Sequence, residues 1–334
     1  MTGPLAAFLG AALVSWLLTG AVRRYALRSS MLDVPNERSL HRTPTPRGGG
    51  LAIALVAVIG LTAAALRSMI PAEVAWPLIV GGALVAAVGW LDDRRGVRAS
   101  LRAMVHAAAA CWAAYWIWGE PTLAAAIGVV CIMWAINLYN FMDGIDGLAG
   151  AEAASVGIIA GALFLMAGRG DLAVVAFLVA AAATGFLGWN WPPARIFMGD
   201  VGSGFLGFTF GALSLISGRS GALPVALCLL LAGVFAFDAT VTLLRRMARR
   251  ERLHQAHRSH AYQRLVQAGW THAQVTGGVV LINLCLGVLA WLAQSGRLSV
   301  AAAVLAGIVV LTVLYLAIER RRPMFAAAAD PTLP

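Results

Sequence analysis

Lysine is absent: all 25 basic residues of the 334 are arginine. A Schiff-base lysine and the lysine of a Walker-type phosphate loop are therefore excluded. Charge of either sign is sparse, at 12% of residues, against about 25% in ordinary soluble domains. Only four cysteines occur, Cys111, Cys131, Cys228 and Cys285, each isolated inside an apolar run. They read as small buried hydrophobes and exclude a disulfide framework or a thiolate metal site. The opening MTGPLAAFLG lacks a basic stretch ahead of its apolar run, so that run is expected to be a retained span, not a cleaved leader.

What fills the chain instead is apolar sequence, 60% of residues, with mean hydropathy +0.80. A water-soluble enzyme and a disordered chain are excluded together. Eleven apolar segments stand out, at 4–22, 48–66, 76–91, 103–119, 121–138, 148–168, 172–190, 203–217, 222–244, 273–294 and 300–318. With about 20 residues needed per crossing, this pattern predicts an all-α polytopic membrane protein of about eleven transmembrane helices. No linker divides residues 1–334, so a single integral-membrane domain is expected.

The connections alternate in character. One set carries 21 of the 25 arginines, and the opposite set only Arg67, Arg169, Arg219 and Arg297. The positive-inside rule makes the arginine-rich side cytoplasmic, with the N-terminus periplasmic and the C-terminus cytoplasmic. The net charge of +10 is thus an orientation signal, not a nucleic-acid footprint.

Acids collect on the same side. GWLDDRRG places Asp92 and Asp93 at the end of a span, as a base, a magnesium ligand or a solvated helix end. Two adjacent carboxylates repel unless a cation or proton relieves them. NLYNFMDGIDGLAG sets Asn137, Asn140, Asp143 and Asp146 at three-residue intervals, more oxygen ligands than a helix cap requires. GWNWPPARIFMGDVGSG supplies Asn190 and Asp200, the latter among glycines. A shared site for a divalent ion follows, and hard oxygen ligands without thiolates favour magnesium or manganese over zinc. PNERSLHRTPTPRGGG, with Arg38, His41, Arg42 and Arg47, joins arginine forks to glycine amides, which suits phosphate oxygens. RRMARRERLHQAHRSHAYQRL carries His254, His257 and His260, a weak zinc pattern with no acid or cysteine to complete it. Its arginines also suit anionic lipid heads.

Taken in order over residues 32–265, LDVPNERSLHRTPTPRGGG, LDDRRG, NLYNFMDGIDGLAG, WNWPPARIFMGDVGS, Asp238 with its following arginines, and AHRSHAYQRL resemble one family. It is the polyprenyl-phosphate N-acetylhexosamine-1-phosphate transferases, glycosyltransferase family 4, relatives of the phospho-MurNAc-pentapeptide translocase. The forms of the first and last motifs resemble the branch that initiates O-antigen or other surface polysaccharides. Tyr262-Gln263 departs from the translocase's denser histidine cluster.

The resemblance implies transfer of a sugar-1-phosphate from a UDP-N-acetylsugar to undecaprenyl phosphate, with release of UMP. It implies Mg2+, for which Mn2+ substitutes, a homodimer, and a bacterial inner membrane with the active site facing the cytoplasm. It assigns Asp200 as metal ligand with Asn140 and Asp143 beside it, and Asp92, Asp93, Asp143 and Asp200 to catalysis. Asp146, Asn190 and Phe197 correspond to a uridine pocket, with Asn137 on the substrate side. Arg47 and Arg102 correspond to phosphate contacts, and His257, Arg258 and His260 to sugar recognition. The alternative is a transporter or flippase for a polar or lipid-linked substrate, in which acids lie near midplane.

Overall fold

The computed structural model describes residues 2–35, 43–251 and 257–325. Arg38, His41, Arg42 and His254 lie outside the described residues. The elements run α1 Thr2–Arg28, β1 Leu32–Asp33, β2 Thr45–Pro46, α2 Gly50–Leu66, α3 Ala72–Arg95, α4 Ala99–Trp118 and α5 Leu123–Met142. They continue with α6 Leu148–Met166, α7 Gly170–Asn190, α8 Asp200–Ser220, α9 Val225–Leu231, α10 Gly233–Ala248, α11 Ala261–Gln267, α12 His272–Gln294 and α13 Val300–Arg321. The all-α membrane architecture is as expected from the sequence. The only sheet among the described residues is the antiparallel pair of β1 and β2, which joins Leu32 to Pro46.

Every expected apolar segment coincides with helix. Eight of these helices are long and apolar enough to cross a membrane, or nine if the bent pair α9–α10 is one span. That pair is the main departure from the sequence reading. Segment 222–244 is broken at Ala232 and turns by 86° instead of running straight. Helix α2 is a shorter apolar helix of 17 residues.

The outside of the bundle is oily and its inside is small. Leu5, Leu9, Leu13, Leu281, Leu305 and Val309 are largely exposed, a surface that suits hydrocarbon and not water. Between helices, glycines let backbones touch. A Cβ on Gly89 of α3 would meet the Asp200 carbonyl of α8 at 2.6 Å, and one on Gly207 of α8 would strike the Ala135 carbonyl of α5. Without a hydrophobic force between helices in lipid, such small-residue contacts are the main source of association. Helix α8 is enclosed by α2, α3, α4 and α5, so its first turn is held on several sides.

Candidate active site

The LDD, NFMDG and FMGD motifs meet at the N-terminal end of α8. Gly199, at φ +75°, turns the chain into that helix, a conformation that favours glycine. Asp93, 3% exposed on the last turn of α3, accepts the backbone N–H groups of Asp200 and Val201, each at 3.1 Å. Its two oxygens thereby cap α8 from a neighbouring helix, where orphan amides and the helix dipole favour an anion. Arg47 donates through Nε to the Asp93 carbonyl at 3.0 Å. The following glycines pair along the FMGD segment: Gly49 N–H bonds Phe197 O at 2.9 Å and Gly50 N–H bonds Met198 O at 2.9 Å. Phe197 N–H in turn bonds Pro46 O at 2.8 Å. A polar cavity of about 190 Å³ lies beside this junction, lined by Ser29, Ser30, Arg47, Asp93, Arg94 and Arg95 among others.

Asp92 faces the other way. It accepts Val97 N–H at 2.5 Å and an ion pair from Arg102. The same Arg102 nitrogen bonds Asp200 Oδ2 at 2.5 Å, so one guanidinium bridges two carboxylates from different helices. Asn140 of α5 donates to Asp200 Oδ1 at 2.8 Å. Asp143 closes the group; among the described residues its carboxylate forms no ion pair. Burial, then Asp200, Asp93 and Asp146, push its carboxyl well above the usual carboxylate range. Asn137, one turn earlier, is exposed and donates to Met133 O of its own helix at 2.8 Å.

A second set of residues holds the loops together. Asp146 Oδ2 accepts Ala194 N–H at 3.0 Å and lies 3.3 Å from His272 Nδ1 of α12. Asn190, 3% exposed, accepts Gly147 N–H at 3.0 Å and donates to Ile196 O at 2.9 Å. Both ends of its amide thus serve the backbone. The histidine segment docks on the end of α5: Tyr262 donates to Phe141 O at 3.0 Å, and the His260 ring lies 6.3 Å from that of Phe141. Asp238 anchors it by accepting Ala261 N–H at 2.8 Å and Tyr262 N–H at 3.2 Å. His260 is buried, with its ring 4.9 Å from His257, and Arg258 is half-buried. The sequence places Asp238 among the family's motifs without giving it a role, and His272, a lone imidazole beside a span start, carries little signal.

The metal expectation meets a mixed donor set. Among the described residues, no three Asp, Glu, His or Cys side chains form a ready-made cage. Magnesium is commonly held by one or two carboxylates plus substrate phosphates, without such a cage. Here the Asp200 carboxylate accepts from Asn140 Nδ2 and from Arg102, the Asp143 carboxyl lies close enough to feel its charge, and the Arg102 cation already bridges Asp92 and Asp200, so the place draws positive charge to hard oxygens. These residues fit that ion.

Comparison with known proteins identifies the family. A family profile described as "Glycosyl transferase family 4" matches residues 75–218. The chain is 30% identical over 310 residues to the "Probable undecaprenyl-phosphate N-acetylglucosaminyl 1-phosphate transferase" of Bacillus subtilis, covering 87% of this chain and 85% of that one. It is 32% identical to the "Decaprenyl-phosphate N-acetylglucosaminephosphotransferase" of Mycobacterium tuberculosis, covering 86% and 81%. A "Phospho-N-acetylmuramoyl-pentapeptide-transferase" of Moorella thermoacetica is 34% identical over 58% of this chain and 54% of its own. None of the three bears a transporter's name. With identity spread over nearly the whole length, the chain belongs to glycosyl transferase family 4, the polyprenyl-phosphate sugar-phosphate transferases that its motifs resemble.

Proposed function

We propose that this protein transfers N-acetylhexosamine-1-phosphate from a UDP-N-acetylsugar to undecaprenyl phosphate, releasing UMP and initiating an O-antigen-like surface polysaccharide. The observation that carries the reading is the convergence of Asp92, Asp200, Asn140 and Arg102 from four helices at one end of the bundle. Acids and a guanidinium packed this closely suit a pyrophosphate with a bound cation. In the reaction, an acceptor phosphate oxygen bonds to the sugar-bearing phosphorus of the donor, and the bond from that phosphorus to UMP breaks.

Asp200 and Asn140, with Asp143 beside them, would hold magnesium, which supplies neutralisation of charge on the pyrophosphate and departing UMP. Arg102 adds a fixed positive charge at the same place. Asp93 sets the position of Asp200 through the α8 amides. Asp92 orients Arg102. Asp146 and Asn190 shape the loop for the uridine, with Phe197 as its stacking partner, and the histidine segment of His257, Arg258 and His260 meets the sugar. An apolar cavity of about 470 Å³ among α10, α11, α12 and α13, lined by Phe237, Leu265, Val279 and Leu314, suits a prenyl chain. The active site faces the cytoplasm of a bacterial inner membrane, and the enzyme works as a homodimer in one domain.

The decisive assay incubates purified protein with undecaprenyl phosphate, magnesium and a panel of UDP-N-acetylsugars, and measures UMP. Release from at least one sugar, dependent on both lipid and magnesium, is the expected result; no release from any overturns the reading. Orientation is tested by single cysteines at Arg98 and Arg258 against Arg169 and Arg297 in a cysteine-free background. The first pair is expected to resist an impermeant thiol reagent added from the periplasmic side, and the second to react.

A further inference from the structure

A carboxyl group lies within the bundle, away from the acids described above. Glu152 on α6 and Asn283 on α12 are both fully buried. Asn283 Nδ2 donates to Glu152 Oε2 at 2.7 Å and to Ser155 Oγ at 2.9 Å. Among the described residues, no arginine or histidine pairs with Glu152. Two acceptors remain buried without a donor: Glu152 Oε1 and Asn283 Oδ1. The nearby Tyr139 hydroxyl is also without a hydrogen-bond partner, so it does not relieve them. Reversing the Asn283 amide would set its oxygen against the carboxylate and worsen the mismatch.

One proton resolves it. A carboxylic acid and a carboxamide are complementary, each offering one donor and one acceptor. A buried unpaired carboxylate in hydrocarbon is costly, whereas the neutral pair leaves no charge and no orphan. We propose that Glu152 is a neutral carboxylic acid whose Oε1–H donates to Asn283 Oδ1, forming a two-bond clasp between α6 and α12.

The clasp has a position that matters for the site. Helix α6 begins directly after Asp146-Gly147, and α12 holds Asp146 through His272 and through Thr276, whose hydroxyl donates to Asp146 O at 3.1 Å. Glu152 and Asn283 continue the same seam deeper into the bundle. Glu152 is thus a positioning residue for the Asp146 loop, a consequence that rests on the functional reading above; its protonation does not.

Infrared difference spectroscopy of the purified full-length protein at neutral pH tests the protonation. In the wild-type-minus-Glu152→Gln difference spectrum, a protonated-carboxyl stretch that shifts in D2O is expected, separate from any contribution of Asp143, which both proteins share. In Asn283→Leu the band should persist and move, because its hydrogen bond is lost. Absence of the band, or a band unchanged in Glu152→Gln, overturns the proposal, as does failure of Glu152→Gln to fold, since glutamine reproduces the neutral pair. For the positioning role, Glu152→Ala should raise the donor KM about tenfold while Glu152→Gln restores it. An Ala effect that Gln does not rescue refutes that role. If the wild type releases no UMP, the functional reading fails while the infrared arm still decides the clasp.

Discussion

Asp93→Asn separates a cap from a base. In the structure, both Asp93 oxygens are engaged by the first two amides of α8. Asparagine keeps one acceptor and turns an NH2 group toward the other amide. One hydrogen bond to a charged group is lost, about 1.5–3 kcal/mol, and one buried N–H is left unpaired. Loss of the negative charge at the positive end of α8 adds roughly 0.3–1 kcal/mol. The combined cost is about 2–4 kcal/mol, enough to lower the thermal midpoint by several degrees in detergent. Turnover falls with it, because Asp200 is the first residue of α8, and a misplacement of about 1 Å costs on the order of 10²-fold. Intrinsic tryptophan fluorescence during heating and UMP release are the two measurements. Loss of turnover with an unchanged midpoint would refute the capping argument and return Asp93 to the role of base. An unchanged enzyme by both measures would refute any role.

Other changes give distinct outcomes. Asp200→Asn removes charge but keeps shape, and turnover is expected to fall about 10³-fold or more with a higher magnesium requirement; normal kinetics would exclude it as the metal ligand. Gly50→Ala drives a methyl into the backbone of Gly202, and overpacking there should destabilise by about 1–3 kcal/mol, read as a lowered thermal midpoint. His257 is held down to about 4 by burial, then by His260 and Arg246, against an ordinary 6.5. Its depressed folded value means the unfolded chain takes up the proton first, so stability is complete above 6.5 and declines as pH falls toward 4. His257→Gln should flatten the change in thermal midpoint across that window, and an unaltered slope would count against it.

Hydropathy made the helices legible because in hydrocarbon every backbone group must be paired within the segment, which forces long uniform runs. The break at Ala232 was not legible. The sequence from Val225 through Phe237 is apolar on both sides of it, and only Gly233 hints at a turn. An 86° bend depends on what packs against the two halves, and hydropathy carries nothing about packing. Glu152 was hidden for a related reason: a single acid in the run LAGAEAASVG gives no pattern, and its partner lies 131 residues away.

The motif residues show a finer limit. Sequence spacing identified a set of acids but could not say which faced a ligand and which faced the backbone. Asp93 and Asp238 cap α8 and α11, and Asp146 and Asn190 tie loops. Asp92 and Asp200 share Arg102. Both groups look alike in sequence, because a carboxylate that captures amide N–H groups has the same chemistry as one that captures a cation. What separates them is whether a helix N-terminus arrives at the carboxyl group, and that is fixed by contacts between distant segments. Adjacent Asp92 and Asp93 make the point most sharply. On a helix, neighbours diverge by about 100°, so one turns to α8 and the other to Arg102. The pair therefore need not share a proton or a metal, and its two members act on Asp200 by separate routes: Asp93 by placing its backbone, Asp92 by holding the guanidinium that meets its side chain.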